Sequence, residues 1–351
     1  METLIIADVK SFNNNGKSPG HYFAVAQNYL DLYSDYCEVK IAGGPIFKTK
    51  FDKKDLFLLP HDFIPNENWL KRKWQVLMNC RYLFKHTLTE NKIVIQHSGL
   101  STAILGIALF AKKKSNIYVI AYNTDAVVSP IKKLIYKLAK QKIKGLLCPH
   151  EHVANAYRIP YCIITDYIYV KKEIVPITTF ENKKYDIAIL GRIRSGKGVV
   201  DAAQYLAKTS LKILIAGSGD KQMIERLYEI CKQCTNIELC IEYLSEEKYK
   251  EYIRSARFCL LNYHGTYEDR SSGVVLDIIF NGTPILGRRC NALDFIEKEN
   301  LGYLFDNIKK LDNSIINNQK LYRSFLQSID NYIIKQESYR INVIKFLGLN
   351  K

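Results

Sequence analysis

Short β-rich apolar runs alternate with helical patterns along almost the whole chain, in two series separated by a polar, charged stretch at 178–184. The first series predicts strands at 3–8, 37–42, 55–59, 92–96, 116–121, 144–148 and 162–164. The second predicts them at 186–190, 211–216, 237–240, 257–261 and 284–286. Strands that alternate with helices close into parallel sheets, so two series imply an α/β chain of two Rossmann-like, doubly wound domains. The expected boundaries are a first domain over 1–180, a second over 181–330, and a helical tail over 331–351. Ligands of such sheets bind beyond the carboxyl ends of the strands, which makes a cleft between the domains the expected active site.

A chain of 351 residues accommodates two such domains. Its 51 Lys and Arg against 35 Asp and Glu leave a net charge of +16, which favours anionic partners: nucleotides, phosphorylated lipids, a membrane surface or nucleic acid. The surplus is uneven, with 25 basic and 14 acidic residues in 1–180 against 26 and 21 in 181–351. Its densest patch runs from Lys112 to Lys144, where nine lysines accompany one acid, Asp125. Within it Ser129 and Pro130 read as a helix start, followed by Ile131, Leu134, Ile135, Leu138 and Ala139 at helical spacing with Lys132, Lys133, Lys137 and Lys140 between them. Such a basic amphipathic helix is either an ordinary domain helix with a solvated lysine face or a contact for anionic lipid headgroups.

No apolar stretch reaches the roughly 18 to 20 residues that span a bilayer. The first residues read as a strand rather than an export signal, so the expected location is cytoplasmic, with peripheral attachment to the inner membrane face open. Nine cysteines spread along the chain fit reduced thiols better than a disulfide framework, and Cys231 and Cys234, in a helical pattern at 223–234, lack the further ligands of a zinc site.

Three segments of the second series look like chemistry. At 186–198, DIAILGRIRSGKG, an apolar strand runs into a glycine turn and then Arg192, Arg194 and Lys197 before a helix. A diphosphate needs fixed cations and aimed amides, and a loop at a strand's carboxyl end supplies both. Gly191, Gly196 and Lys197 have P-loop spacing, but Gly198 stands where that motif needs a Mg²⁺-binding hydroxyl, so a P-loop is rejected. At 216–220, AGSGD, glycines including Gly217 close the next strand, as a tight turn or as a close backbone approach to a ligand. At 261–286, Ser271 or Ser272 can cap a helix whose first amides, through Gly273, form an anion site. Asp277 inside that helix either finds hydrogen-bond partners such as sugar hydroxyls, faces solvent, or pairs with Arg192.

The order of these segments resembles the carboxyl-terminal domain of retaining, GT-B fold glycosyltransferases of family four. There a strand leads to Gly-Arg, a spacer and Lys-Gly, here Gly191, Arg192, Lys197 and Gly198. A glycine-rich turn follows, here 216–219, then an acid, seven residues, a second acid and a Gly-Thr-Pro-like turn, here Asp269, Asp277 and Gly282 to Pro284. The likeness covers roughly a third of the chain. It implies transfer of a sugar from a nucleotide-diphosphate donor with retention, Arg192 and Lys197 neutralising the diphosphate and the amides of Ser271, Ser272 and Gly273 cradling it. It further implies that Asp277 holds the ribose, Tyr243 and Leu244 hold the base, and Asp269 sits near the transferred sugar. Two departures stand out: both acids are Asp rather than Glu, with Glu268 beside Asp269 an alternative first acid, and Arg270, Ser271 and Ser272 replace the glycines that commonly follow that acid.

The chain has no Asp-x-Asp pair, so no metal seat is evident and no cofactor is expected. The first domain is then expected to bind the acceptor, a glycan or lipid-linked glycan of surface polysaccharide synthesis. Its acceptor-side candidates are Gly20 and His21 after the first strand, His97 at the end of the fourth, and Asn123 after the fifth. The competing readings are a nucleotide-sugar epimerase or phosphorylase of the same architecture, and a basic nucleic-acid-binding module. No nucleic-acid partner is expected, because the chain lacks a helix-turn-helix and its tyrosines are not interleaved with the lysines.

Overall fold

The structure is a computed structural model and describes residues 3–13, 16, 20–96, 101–149, 151–164, 179–265 and 272–349. The chain divides into two compact units, 1–171 with 336–351, and 172–335.

Unit 1 alternates strands and helices in chain order: β1 (Thr3–Ala7), α1 (Gly20–Tyr33), β2 (Glu38–Gly43), β3 (Leu56–Leu58), α2 (Trp69–His86), β4 (Lys92–Ile95) and α3 (Ser101–Phe110). There follow β5 (Asn116–Ile120), α4 (Pro130–Lys140), β6 (Ile143–Cys148), α5 (Glu151–Tyr157) and β7 (Tyr161–Ile163). All seven strands pair in parallel, in the order β3-β2-β1-β4-β5-β6-β7. β4 is buried along its whole length, as expected of a strand with packed layers on both faces. One face carries Val76, Leu83, Ile104 and Tyr136 from α2, α3 and α4; the other carries Val25, Tyr29 and Leu32 from α1.

Unit 2 repeats the scheme with β8 (Tyr185–Leu190), α6 (Val199–Leu206), β9 (Ile213–Ala216), α7 (Lys221–Cys231), β10 (Ile237–Cys240), α8 (Glu246–Ser255) and β11 (Ala256–Leu261). It continues through α9 (Gly273–Phe280), β12 (Ile285–Arg288), α10 (Asp294–Lys298), β13 (Gly302–Phe305), α11 (Asn313–Asn317) and the first part of α12 (Gln319–Leu347), whose residues from 336 on belong to unit 1. The order β10-β9-β8-β11-β12-β13, again all parallel, reverses direction between β8 and β11. That switch point is where an open α/β sheet parts its loops and admits a ligand.

All twelve expected strands form. β13 was not expected. It is four residues long and begins at Gly302, where a Cβ would lie 2.0 Å from the Ile285 carbonyl oxygen. The tail differs from its sequence-based description as a separate segment, since residues 336–351 belong to unit 1. Val343, Ile344, Leu347 and Leu349 are buried in its core, and Lys92 Nζ donates to the Gly348 carbonyl at 2.7 Å. The helix expected over 223–234 stops at Cys231, and Cys234 follows it.

One polar cluster anchors the base of unit 2. Arg257 Nη1 lies 2.7 Å from Asp186 Oδ1, its Nε donates to the Phe180 carbonyl, and its guanidinium stacks 4.1 Å from the Phe180 ring centroid. The other Asp186 oxygen accepts the Lys212 amide. Both charges are largely buried, so removing one strands the other. Arg257→Ala is expected to cost about 3 kcal/mol in urea unfolding, whereas an exposed pair such as Lys221 and Glu225 is worth no more than about 0.5 kcal/mol.

Candidate functional site

The loop after β8 is tied to its neighbours on both sides. Toward β9, the Gly191 amide donates to the Ala216 carbonyl at 3.0 Å, Ile193 to Ser218 at 2.9 Å, and Asp220 back to Ile193 at 2.9 Å. Toward β11, the His264 amide donates to the Gly196 carbonyl and Asn262 Nδ2 to the Gly198 carbonyl. Segments about 25 and 70 residues apart in sequence therefore form one surface at the switch point.

Glycine is required by this packing. Gly217 has φ +145°, and a Cβ there would lie 2.0 Å from the Gly191 carbonyl oxygen; a Cβ on Gly219 would lie 1.9 Å from that of Ile193. The glycines of 216–220 thus let the backbone after β9 approach that of the loop after β8. Gly198 closes the short turn 195–197 at φ +59° and leads into α6.

The same geometry gathers cations. A Cβ built on Gly191 would lie 3.6 Å from Lys197 Nζ and 3.8 Å from Val274 Cγ2, so the ammonium and the first turn of α9 meet at this glycine. Burial, then the Arg194 and Arg192 charges, pull the Lys197 ammonium down to about 8. An incoming anion relieves both penalties, since it pairs with the desolvated ammonium and screens it from the two guanidinium groups. Arg192 itself is exposed.

α9 begins after Ser272, whose Oγ lies 2.9 Å from the Tyr263 hydroxyl and makes no cap to the helix amides. The amides of Gly273 and Val274 thus remain outside the intrahelical ladder, at the positive end of the helix dipole. Asp277 follows Val274 by three residues, which puts it one turn on along the same face. It is half-buried.

Gly191 and Arg192 also line a hollow of about 530 Å³ together with Gly217, Ser218, Tyr243 and Leu244. Tyr243 is 89% exposed at the edge of this hollow. The structure therefore brings together Gly191, Arg192, Lys197, Gly217, Tyr243 and Leu244, with Gly273 reached through Val274. Glu268, Asp269, Arg270 and Ser271 lie outside the described residues.

In unit 1, Gly20 and His21 form the first turn of α1, and His97 lies outside the described residues. Asn123 Oδ1 accepts the Asp125 amide and its carbonyl accepts the Tyr157 hydroxyl, so part of this residue shapes the turn after β5. Sequence reasoning passed over Gln96. It follows β4 next to β1, at the switch point of this sheet, is 2% exposed, and neither atom of its carboxamide has a hydrogen-bond partner among the described residues. A polar residue ending the run Lys92–Ile95 was the available signal.

No family model matches the chain, and no curated protein sequence matches it. Solved structures do. A TarM variant from S. aureus in complex with fondaparinux, alpha-GlcNAc-glycerol and UDP matches at TM-score 0.69 and 13% identity, over 99% of this chain and 100% of that one. An alpha,alpha-trehalose-phosphate synthase (UDP-forming) from Burkholderia xenovorans in complex with glucose-6-phosphate matches at 0.67 and 8%, over 99% and 100%. Another TarM crystal structure matches at 0.58 and 16%, over 78% of this chain and 58% of that one. Two parallel α/β units whose likeness to these proteins extends over the full length identify the fold of this chain as GT-B.

Proposed function

We propose that the chain is a glycosyltransferase that moves a hexose-type sugar from a nucleoside-diphosphate donor to a glycan or lipid-linked glycan. The observation that carries this reading is the meeting of Arg192, Lys197 and the first turn of α9 at Gly191, beside the Tyr243 and Leu244 hollow. The complexes of similar fold support a uridine donor, since one contains UDP and another is UDP-forming.

In this reading the hollow takes the base and the diphosphate lies across Gly191. Arg192, Lys197 and the amides of Ser272 to Val274 stabilise the negative charge that grows on the leaving diphosphate as the anomeric bond breaks. Asp277 receives the ribose hydroxyls, and Asp269, or Glu268, faces the transferred sugar. We further propose, from the family likeness, retention of configuration, an acceptor bound by unit 1 with Gly20, His21, His97 and Asn123 as its contacts, and a role in surface polysaccharide synthesis. This chain supplies cations and amides for the diphosphate from its own residues, so the proposed transfer uses no metal.

A thermal-shift panel tests the donor. A nucleoside diphosphate at 100 times its dissociation constant should add about 2.7 kcal/mol of stability, and UDP should shift the transition where UMP shifts it less. No stabilisation by any nucleoside diphosphate or nucleotide sugar would overturn the proposal. Isomerised donor sugar formed without acceptor would reassign the chain as an epimerase, and a requirement for inorganic phosphate would make it a phosphorylase.

A further inference from the structure

The outer layer of unit 1 is unusual in what it leaves in water. In α4, Tyr136 and Ala139 are buried against the sheet, whereas Ile131, Leu134 and Leu138, spaced at i, i+3 and i+7, are 73%, 62% and 61% exposed. An ordinary domain helix buries such a stripe and turns its charges outward. Here the stripe is outward, with the exposed Lys137 one turn from Leu134 and the exposed Lys133 on the flank beyond it. Val128 just before the helix is equally open.

The pattern continues across neighbouring helices. α4 packs on α3 and α3 on α2, on one face of the sheet. Leu109 of α3 is exposed and runs into the exposed Lys112, Lys113 and Lys114. In α2, Trp69, Leu70 and Trp74 are half or more exposed, and Lys73 Nζ lies 3.9 Å from the Trp69 ring centroid. From Trp69 to Lys144 the chain has 15 Lys and Arg and only two acids, Glu90 and Asp125. No helix among the described residues is long and apolar enough to cross a bilayer.

We propose that this layer docks unit 1 onto an anionic lipid bilayer, with the Ile131, Leu134 and Leu138 stripe entering the headgroup and acyl boundary and the surrounding lysines pairing with acidic headgroups. Each feature has its place there. Apolar side chains gain by leaving water, tryptophan suits the interfacial zone, and a cationic rim with few acids complements a negative surface. Nucleic acid gains from the lysines but not from the leucines. A second copy of this chain would bring the same cationic rim against itself. The inference does not rest on the donor site and is tested without nucleotide.

The measurement is flotation of the full chain with vesicles of phosphatidylcholine alone or with 30% phosphatidylglycerol. Recovery should rise at least tenfold with the anionic lipid and fall with added salt. Leu134→Ser with Leu138→Ser, at exposed sites that leave the thermal transition in place, should lower partitioning at least tenfold on anionic vesicles. Lys133→Glu with Lys137→Glu should remove the preference between the two compositions. Equal recovery on both vesicles, or wild-type binding by both variants, overturns the proposal. A concentration-dependent dimer that the leucine variant abolishes would assign the stripe to a second copy instead, and tight DNA binding unaffected by the leucine changes would assign the rim to nucleic acid.

Discussion

Arg192→Ala and Lys197→Ala should each lower kcat/KM for sugar transfer by about a hundredfold to a thousandfold, the loss of roughly 3 to 4 kcal/mol that follows removal of one fixed charge-stabilising contact. Lys197 carries a second signature. Its ammonium loses its proton near pH 8 in the free protein, because burial and then Arg194 and Arg192 disfavour the charged form. kcat/KM should therefore decline as pH rises through about 8, and Lys197→Arg, which stays charged, should abolish that limb. Stability moves the other way. Below about pH 8 the lysine is protonated in folded and unfolded chains alike; between there and its ordinary 10.5 the unfolded chain binds the proton more tightly, so folded stability rises with pH over that window. Lys197→Met removes the burdened charge, so it should lose activity at an unchanged or higher Tm. A pH-rate profile and a thermal melt of the same preparations check both statements.

Gly217→Ala should be the most damaging single methyl group in unit 2. Its Cβ would have to stand 2.0 Å from the Gly191 carbonyl oxygen at φ +145°, so the loops after β8 and β9 must part. That breaks the Gly191 to Ala216 and Ile193 to Ser218 hydrogen bonds and moves Arg192 from the hollow. Strain of about 1 to 3 kcal/mol at a disfavoured φ, with roughly 1 kcal/mol for each lost hydrogen bond, puts the cost near 3 to 5 kcal/mol. Gly282→Ala is the control. Its φ is +73°, but nothing lies within 4 Å of the added Cβ, so only about 1 kcal/mol of backbone strain is expected. Urea denaturation should separate the two, and nucleotide affinity should fall only for Gly217→Ala.

The two sheets were readable from sequence because a parallel strand covered on both faces must be apolar throughout, as in Ile187, Ala188, Ile189 and Leu190. β13 escaped because Gly302 removes a side chain where the backbone of Ile285 passes, leaving a run too short to register. The cations of 192–197 were visible as composition. Their meeting with α9 at Gly191 was not, because it depends on backbone contacts between segments distant along the chain. α4 shows a further limit of periodicity: spacing says that Ile131, Leu134 and Leu138 share a face, but the sheet buries the neighbouring face instead, through Tyr136 and Ala139. The last helix read as a polar-apolar tail, and only the packing of Val343, Ile344 and Leu347 assigns its end to unit 1.

The most direct measurement is a crystal structure of the protein with UDP bound. The account predicts uracil against Tyr243 and Leu244, the diphosphate within hydrogen-bond distance of Lys197 Nζ and the amides of Gly273 and Val274, and the ribose on Asp277. UDP seated elsewhere on the molecule, with Arg192 and Lys197 making no contact to it, would contradict it.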